Sequence, residues 1–264
     1  MQVAALVCEM QYGPNETAGR PASGGQQDAP DCVSDANTRI MILMGGFFMT
    51  SQPEAGPHKV FCIGANKTGT TSLAMFFRSI NYKVGNQEEG ELLLKEWSIR
   101  NFGPIIELAK TADFFQDIPF SCPYTYQALD MAFPAAKFIL SVRDSAEQWY
   151  RSLVQAHYSL IGQKRVPSSA DLKRFGYRYK GWIYESMTLI CGVSDDNPYD
   201  KHRLISWYTQ HNELIRQYFR YKCHKLLEIN ISDENSPKKI SEFLGIKFNN
   251  DRMPHFNRSD PIEI

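Results

Sequence analysis

This sequence is short of several things that would each announce a function. It has no net charge, because 29 Lys and Arg balance 29 Asp and Glu. That balance argues against a general binder of nucleic acid or of anionic membrane, although a local basic pocket remains compatible with it. Its six cysteines form no CxxC pair, and its six histidines show no spacing of the HExxH kind. No metal is therefore expected. Cys62 sits in an apolar strand and reads as a small buried thiol, which favours a reducing, intracellular compartment. Long apolar runs are missing too. The stretch from Ile40 to Met49 falls short of the roughly 20 residues a membrane span needs. An acidic, Gly- and Pro-rich stretch precedes it, without the basic start of a signal peptide.

What is present is a chain long enough for one α/β domain, with 43% hydrophobic and 12% aromatic residues to fill a core. Its most informative stretch is GANKTGTTSL, beginning at Gly64. An apolar strand precedes it and helical periodicity follows, the context in which a phosphate-cradling loop is credible. Successive backbone N–H groups and a helix N-terminus make an anion site. The lysine is displaced, however. Nucleotide hydrolases place Lys and Ser/Thr directly after the second Gly of such a loop. Here Thr70 and Thr71 follow Gly69, and the lysine is Lys67, inside the loop. Phosphoryl transfer relies on Lys and Mg²⁺ to offset the charge of the moving group. A sulfuryl group carries less charge, so hydroxyls, amides and one lysine suffice. The loop points away from ATP hydrolysis and toward a phosphosulfate donor.

A second segment reinforces this. KFILSVRD, from Lys137 to Asp144, reads as a buried strand ending in Arg-Asp, and a helix follows from Ser145 through Trp149 and Ser152. With NKTGTTSL, and with later stretches around Tyr208–Asn212, 225–231 and 254–258, the chain resembles the sulfotransferases that use 3′-phosphoadenosine 5′-phosphosulfate (PAPS), over residues 59 to 258. The resemblance implies a P-loop-type α/β fold, with a central parallel sheet flanked by helices on both faces. It implies PAPS as donor, held at its 5′-phosphosulfate by Lys67, Thr68, Gly69, Thr70, Thr71 and Ser72. Arg143 and Ser152 would anchor the 3′-phosphate, with Arg151 an alternative to Ser152, and Arg258 would close over it. Members of that family in the secretory pathway carry an N-terminal membrane anchor. None is visible here, which favours a soluble, cytoplasmic protein.

The order of elements along the chain agrees with that fold. Residues 1–57 are polar, punctuated by Gly and Pro and without periodicity, and read as a disordered extension. Met41, Met44 and Met49 precede the first strand, so residues 1–48 are expected to be dispensable for donor binding. Residues 58–264 form the domain. Strands are predicted at 59–65, 112–117, 137–144 and 225–231, with a short one at 82–85. Helices are predicted at 71–80, 88–100, 104–110, 124–133, 145–160, 201–220 and 236–244. The helix at 88–100 would present Leu92, Leu93 and Trp97 on one side. Alternating strands and helices imply a mostly parallel sheet. Ligands bind such sheets at the carboxyl ends of strands, where Gly64, Asp117 and Arg143 all fall. Residues 161–200 interrupt the alternation and read as an insertion over the site.

The acceptor must lose a proton, so a general base is expected. Asp117 is the first choice: aromatic and proline neighbours would desolvate it and raise its pKa. It also resembles the Asp-x-Pro segment of related sulfotransferases. His157 is the alternative, whereas His211 is expected to pack within its helix. Trp182, Tyr177, Tyr179 and Tyr184 would line an acceptor pocket or pack the insertion onto the domain. Arg165, Arg174 and Arg178 would recognise an anionic acceptor or be solvated. Two rivals remain: a Mg²⁺-dependent kinase with a variant loop, in which Asp144 holds the metal, and a non-catalytic nucleotide-binding protein. The acceptor itself and the oligomeric state are not encoded legibly.

Overall fold

The computed structural model describes residues 58–162 and 165–246. The predicted N-terminal extension and Arg258 lie outside the described residues. In chain order the elements are β1 (Val60–Cys62), α1 (Thr70–Ser79), α2 (Gln87–Leu92), α3 (Leu94–Ser98), α4 (Gly103–Ala109), β2 (Phe114–Phe115) and α5 (Thr125–Ala132). They continue with β3 (Lys137–Val142), α6 (Ala146–Ile161), α7 (Ser169–Arg174), α8 (Trp182–Cys191), α9 (Lys201–Phe219), β4 (Leu226–Asn230) and α10 (Ser236–Leu244).

The four strands form one parallel sheet in the order β2-β1-β3-β4. β1, β2 and the middle of β3 are apolar and buried on both sides, as the inner strands of parallel sheets require, whereas the edge strand β4 is half-buried and exposes Glu228. Side-chain alternation divides the core in two. Phe61, Ile63, Phe115, Phe138 and Leu140 face α3–α6, α8 and α9. Val60, Cys62, Phe114, Ile139 and Ile229 face α1 and α10. Aromatic rings fill both layers: Phe61 lies within 6.0 Å of Phe115 and 5.7 Å of Phe138 on one face. On the other, Phe77 stacks on Phe114 at 4.1 Å. The α/β architecture with helices on both faces is therefore present.

The chain runs from β1 outward to β2, then returns to place β3 on the other side of β1. That reversal opens a crevice beyond the carboxyl ends of β1 and β3, where open α/β sheets bind ligands.

Three local expectations change. The helix predicted over 88–100 breaks at Leu93 into α2 and α3. The break turns Leu92 outward, 49% exposed, while Leu94 and Trp97 are buried and Glu91 turns inward. The predicted strand at 82–85 is a single bridge from Val84 to Phe114. Residues 161–200 are more than a cover. Leu172, Trp182, Ile183 and Met187, from α7 and α8, belong to the same buried cluster as β1 and β3.

Candidate active site

The loop after β1 is built by close packing. A Cβ on Gly64 would lie 2.3 Å from the backbone oxygen of Ser141 in β3, so only glycine lets the loop leave the sheet there. Thr68 is fully buried; its hydroxyl donates to the carbonyl of Ala65 at 2.6 Å and pairs with the Ser141 hydroxyl at 2.5 Å. The Thr68 side chain thus holds the loop, and of this residue only the backbone is left for a ligand. Lys67 and Gly69 both adopt positive φ, 73° and 96°. For Lys67 that is an uncommon conformation, of the kind that gathers at ligand sites.

Gly69 is the N-cap of α1 and no side chain caps the helix. Its first amides therefore point outward unclaimed by side chains, with the positive end of the helix dipole behind them. Gly69, Thr70, Thr71 and Ser72 all border the adjoining cleft, as does Lys67.

Arg143 leaves the end of β3 next to this loop. Its Nε–H donates to the Lys67 carbonyl at 2.8 Å, and its backbone N–H donates to the Tyr208 hydroxyl at 3.0 Å. Burial lowers its pKa somewhat, yet a guanidinium remains charged at any working pH. Trp149, in the first turn of α6, stacks on Tyr208 at 4.6 Å and donates its indole N–H to the Asn66 carbonyl at 2.9 Å. Loop, strand end and α6 are thereby locked together. Ser152 borders the cleft one turn further along, but its hydroxyl proton is given to the Gln148 carbonyl at 2.8 Å. Arg151 also borders the cleft and pairs with Glu147 at 3.2 Å.

Asp117 stands just beyond β2, 5% exposed, with φ at 59°. Its Oδ1 is buried with no hydrogen-bond partner among the described residues. Burial pushes its pKa up to about 6; Lys67 and a hydrogen bond with the Thr70 hydroxyl pull it down, and Glu91 nudges it up. The result is a carboxylate poised near neutral pH, with one oxygen aimed at no protein group.

His157 also reaches the cleft wall, but its Nδ1 pairs with the Tyr199 hydroxyl at 3.0 Å. Burial, and then the charge of Lys67, depress its pKa to about 3. An imidazole so reluctant to take a proton is a poor base, which weighs against the alternative assignment. His211 is a packing residue: Nε2 bonds the Ile63 carbonyl at 3.1 Å and the ring stacks on Trp207.

Lys67, Asp117, Arg143, Arg151, Ser152 and His157 border one cleft of about 1410 Å³, larger than the ~300–1,000 Å³ typical of a single-ligand site. Ile118, Cys122, Trp182, Ile183, Met187 and Ile190 give it an apolar stretch of wall. Tyr177 joins Trp182 there, with ring centres 5.2 Å apart. Tyr179 and Tyr184 do not: the first bonds Glu185, and the second lies under Lys173. Arg165 and Arg174 both pair with buried Asp171, and Arg178 pairs with Glu91 at 2.5 Å. None of these three arginines lines the cleft, so none stands where an acceptor would meet it: Arg165 and Arg174 keep exposed side chains, as the solvated reading expects, and Arg178 is held on Glu91. Glu91 itself was missed. In a single continuous helix it would sit on the polar face, and only the break at Leu93 turns it in.

Among the described residues there is no cluster of three or more His, Cys, Asp or Glu able to hold a metal. No described helix is long and apolar enough to cross a membrane. Comparison with curated proteins returns no match. A sequence model for a family described as "Sulfotransferase domain" matches residues 59–262.

Proposed function

Because the chain belongs to the sulfotransferase-domain family, we propose that it transfers a sulfuryl group from PAPS to an acceptor, with Asp117 as the base. The observation that carries this is the orphaned Oδ1 of Asp117, in the same cleft as Lys67 and the uncapped start of α1. Phosphate cradle and proton acceptor thus come from the ends of neighbouring strands.

The residues present fit the donor. The α1 amides with the Thr70, Thr71 and Ser72 hydroxyls suit its 5′ end, and Lys67 suits the charge that builds on the leaving phosphate. Arg143 offers a planar, permanently charged fork for the 3′-phosphate. Arg151 and Ser152 border the same end, and Arg151 is the better second contact because the Ser152 proton is committed to its own helix. When bound, the donor supplies an electrophilic sulfur: the acceptor's hydroxyl oxygen or amine nitrogen bonds to it as the bridging bond breaks, and the electron pair leaves on the phosphate. Asp117 takes the acceptor's proton, which a carboxylate with a pKa of about 6 does readily at neutral pH. Fixed groups on rigid elements supply positioning and charge stabilisation without reorganisation.

The test separates binding from chemistry. Asp117→Asn should bind the desulfated product PAP as the parent does and lose transfer. Unchanged transfer in that variant would remove Asp117 from its role.

A further inference from the structure

Arg151 stands on a divide. It borders the main cleft and also a second, smaller cavity of about 260 Å³, which it lines with Glu147, Tyr150 and Lys201. Glu147 is shared there between two cations, one to each oxygen. Its Oε1 accepts from Arg151 Nε at 3.2 Å, and its Oε2 lies 2.8 Å from the Lys201 ammonium. Lys201 is the stronger partner, drawing the Glu147 carboxyl below its usual range more than Arg151 does. Its position is unusual for a lysine. Lys201 opens α9, directly after the Asp200 N-cap, where the positive end of a helix dipole disfavours a cation. Glu147, in the first turn of α6, is well placed by the same rule. Lys201 lies 5.9 Å over the Tyr150 ring, whose hydroxyl donates to the Tyr199 carbonyl at 3.0 Å, so the ammonium is seated between α6 and α9. Arg151 has no such seat: its side chain is 69% exposed and, among the described residues, is held by Glu147 alone.

We propose, building on the sulfotransferase reading, that Glu147 is a positioning residue that competes with the donor's 3′-phosphate for Arg151, and that Lys201 makes the exchange possible by staying on Glu147. In the empty protein Arg151 rests on Glu147. When the donor enters, the guanidinium turns to the 3′-phosphate, which offers a bidentate pair that a carboxylate already shared with Lys201 does not. Glu147 is left with its ammonium partner, so no charge is stranded and the exchange costs little. When the desulfated product leaves, Arg151 returns to Glu147. The carboxylate thus holds product affinity down without touching the nucleotide, which matters because product release often limits turnover.

Calorimetry of the full chain with PAP, and with AMP, which lacks the 3′-phosphate, reads the competition. Glu147→Gln should tighten PAP by about two- to fivefold, the scale of exposed ion pairs, and leave AMP unchanged. Lys201→Met makes Arg151 the sole partner of Glu147 and should weaken PAP by a similar factor, whereas Lys201→Arg should stay near the parent. All three side chains are at least partly exposed, so the fold tolerates these changes. The deciding arm is Arg151→Met. It should weaken PAP but not AMP, and in its background Glu147→Gln and Lys201→Met should no longer alter the PAP-to-AMP ratio. Effects of Glu147→Gln that persist without Arg151, or that move PAP and AMP alike, belong to a long-range charge and overturn the inference. An unchanged PAP-to-AMP ratio in Arg151→Met overturns it too. In each of these cases PAP still binds the parent chain and the donor reading stands. Failure of PAP to bind the parent overturns both.

Discussion

The Nε–H of Arg143 donates to the backbone carbonyl of Lys67 at 2.8 Å, tying the end of β3 to the middle of the loop after β1. The arginine assigned to one end of the donor thereby braces the lysine assigned to the other. Because the acceptor atom is a backbone oxygen, the brace survives replacement of the Lys67 side chain. The two residues are structurally coupled but separable by mutation.

Replacing Arg143 should remove discrimination by the 3′-phosphate. Arg143→Ala is expected to weaken PAP binding by about 10–100-fold, the loss of a charge-assisted contact, and to affect AMP far less. Arg143→Lys keeps the charge but not the planar fork and should fall between. Calorimetry with PAP and AMP reads the ratio, and an unchanged PAP/AMP preference would contradict the assignment.

Asp117 predicts a pH dependence with a definite sign. Burial raises its pKa to about 6, so the basic form is lost as pH falls through that value, and kcat/KM should show an acidic limb near 6. The same shift bears on stability. A carboxylate whose folded pKa exceeds its unfolded one stabilises the fold when protonated, and that contribution disappears as pH rises from about 4 through 6. Asp117→Asn should therefore unfold at a higher temperature than the parent at pH 7.5, by up to about 3 kcal/mol in free energy, while losing transfer.

His157 should be silent in that profile. With its pKa near 3 it is neutral throughout the working range, held by Tyr199. His157→Gln is expected to leave the limb near pH 6 in place, as pH–rate profiles of the two proteins would show. Disappearance of the limb in His157→Gln, with normal folding, would transfer the base role to the histidine.

Gly64 carries a purely steric prediction. The Cβ of an alanine would meet the Ser141 backbone oxygen at 2.3 Å and nitrogen at 2.7 Å, neither of which can swing aside. Gly64→Ala should cost about 2–3 kcal/mol or prevent folding, measured as a fall in denaturation midpoint. Gly162→Ala provides a contrast, since a Cβ there meets nothing within 4 Å and only its φ of 71° opposes the change.

The parts of the site written locally were the parts legible in the sequence. Gly64, Lys67 and Gly69 announce a strand-to-helix turn around an anion because spacing and residue type alone demand it. Arg143 is marked by the apolar strand that ends on it. Asp117 was visible as a desolvated carboxylate because its aromatic and proline neighbours adjoin it in sequence. What stayed hidden depends on tertiary placement. Thr68 looks like its hydroxyl neighbours, yet it points into the core because Ser141 lies beneath it. Glu91 becomes a cleft residue only through the break at Leu93, and its partner Arg178 is 87 residues away. The aromatics of 177–184 could be identified as a group but not sorted: Tyr177 and Trp182 border the cleft, whereas Tyr179 and Tyr184 face other partners.

The central claim is that the cleft binds a 3′,5′-substituted adenosine without metal. Calorimetry of the purified chain against PAP, ATP and ADP, each with and without Mg²⁺, tests it most directly. The account predicts PAP binding that is unaffected by Mg²⁺ or by chelator, weakened about 10–100-fold in Lys67→Ala, and tighter than binding of either ATP or ADP. Preference for ATP in the presence of Mg²⁺, with PAP binding absent, would contradict it.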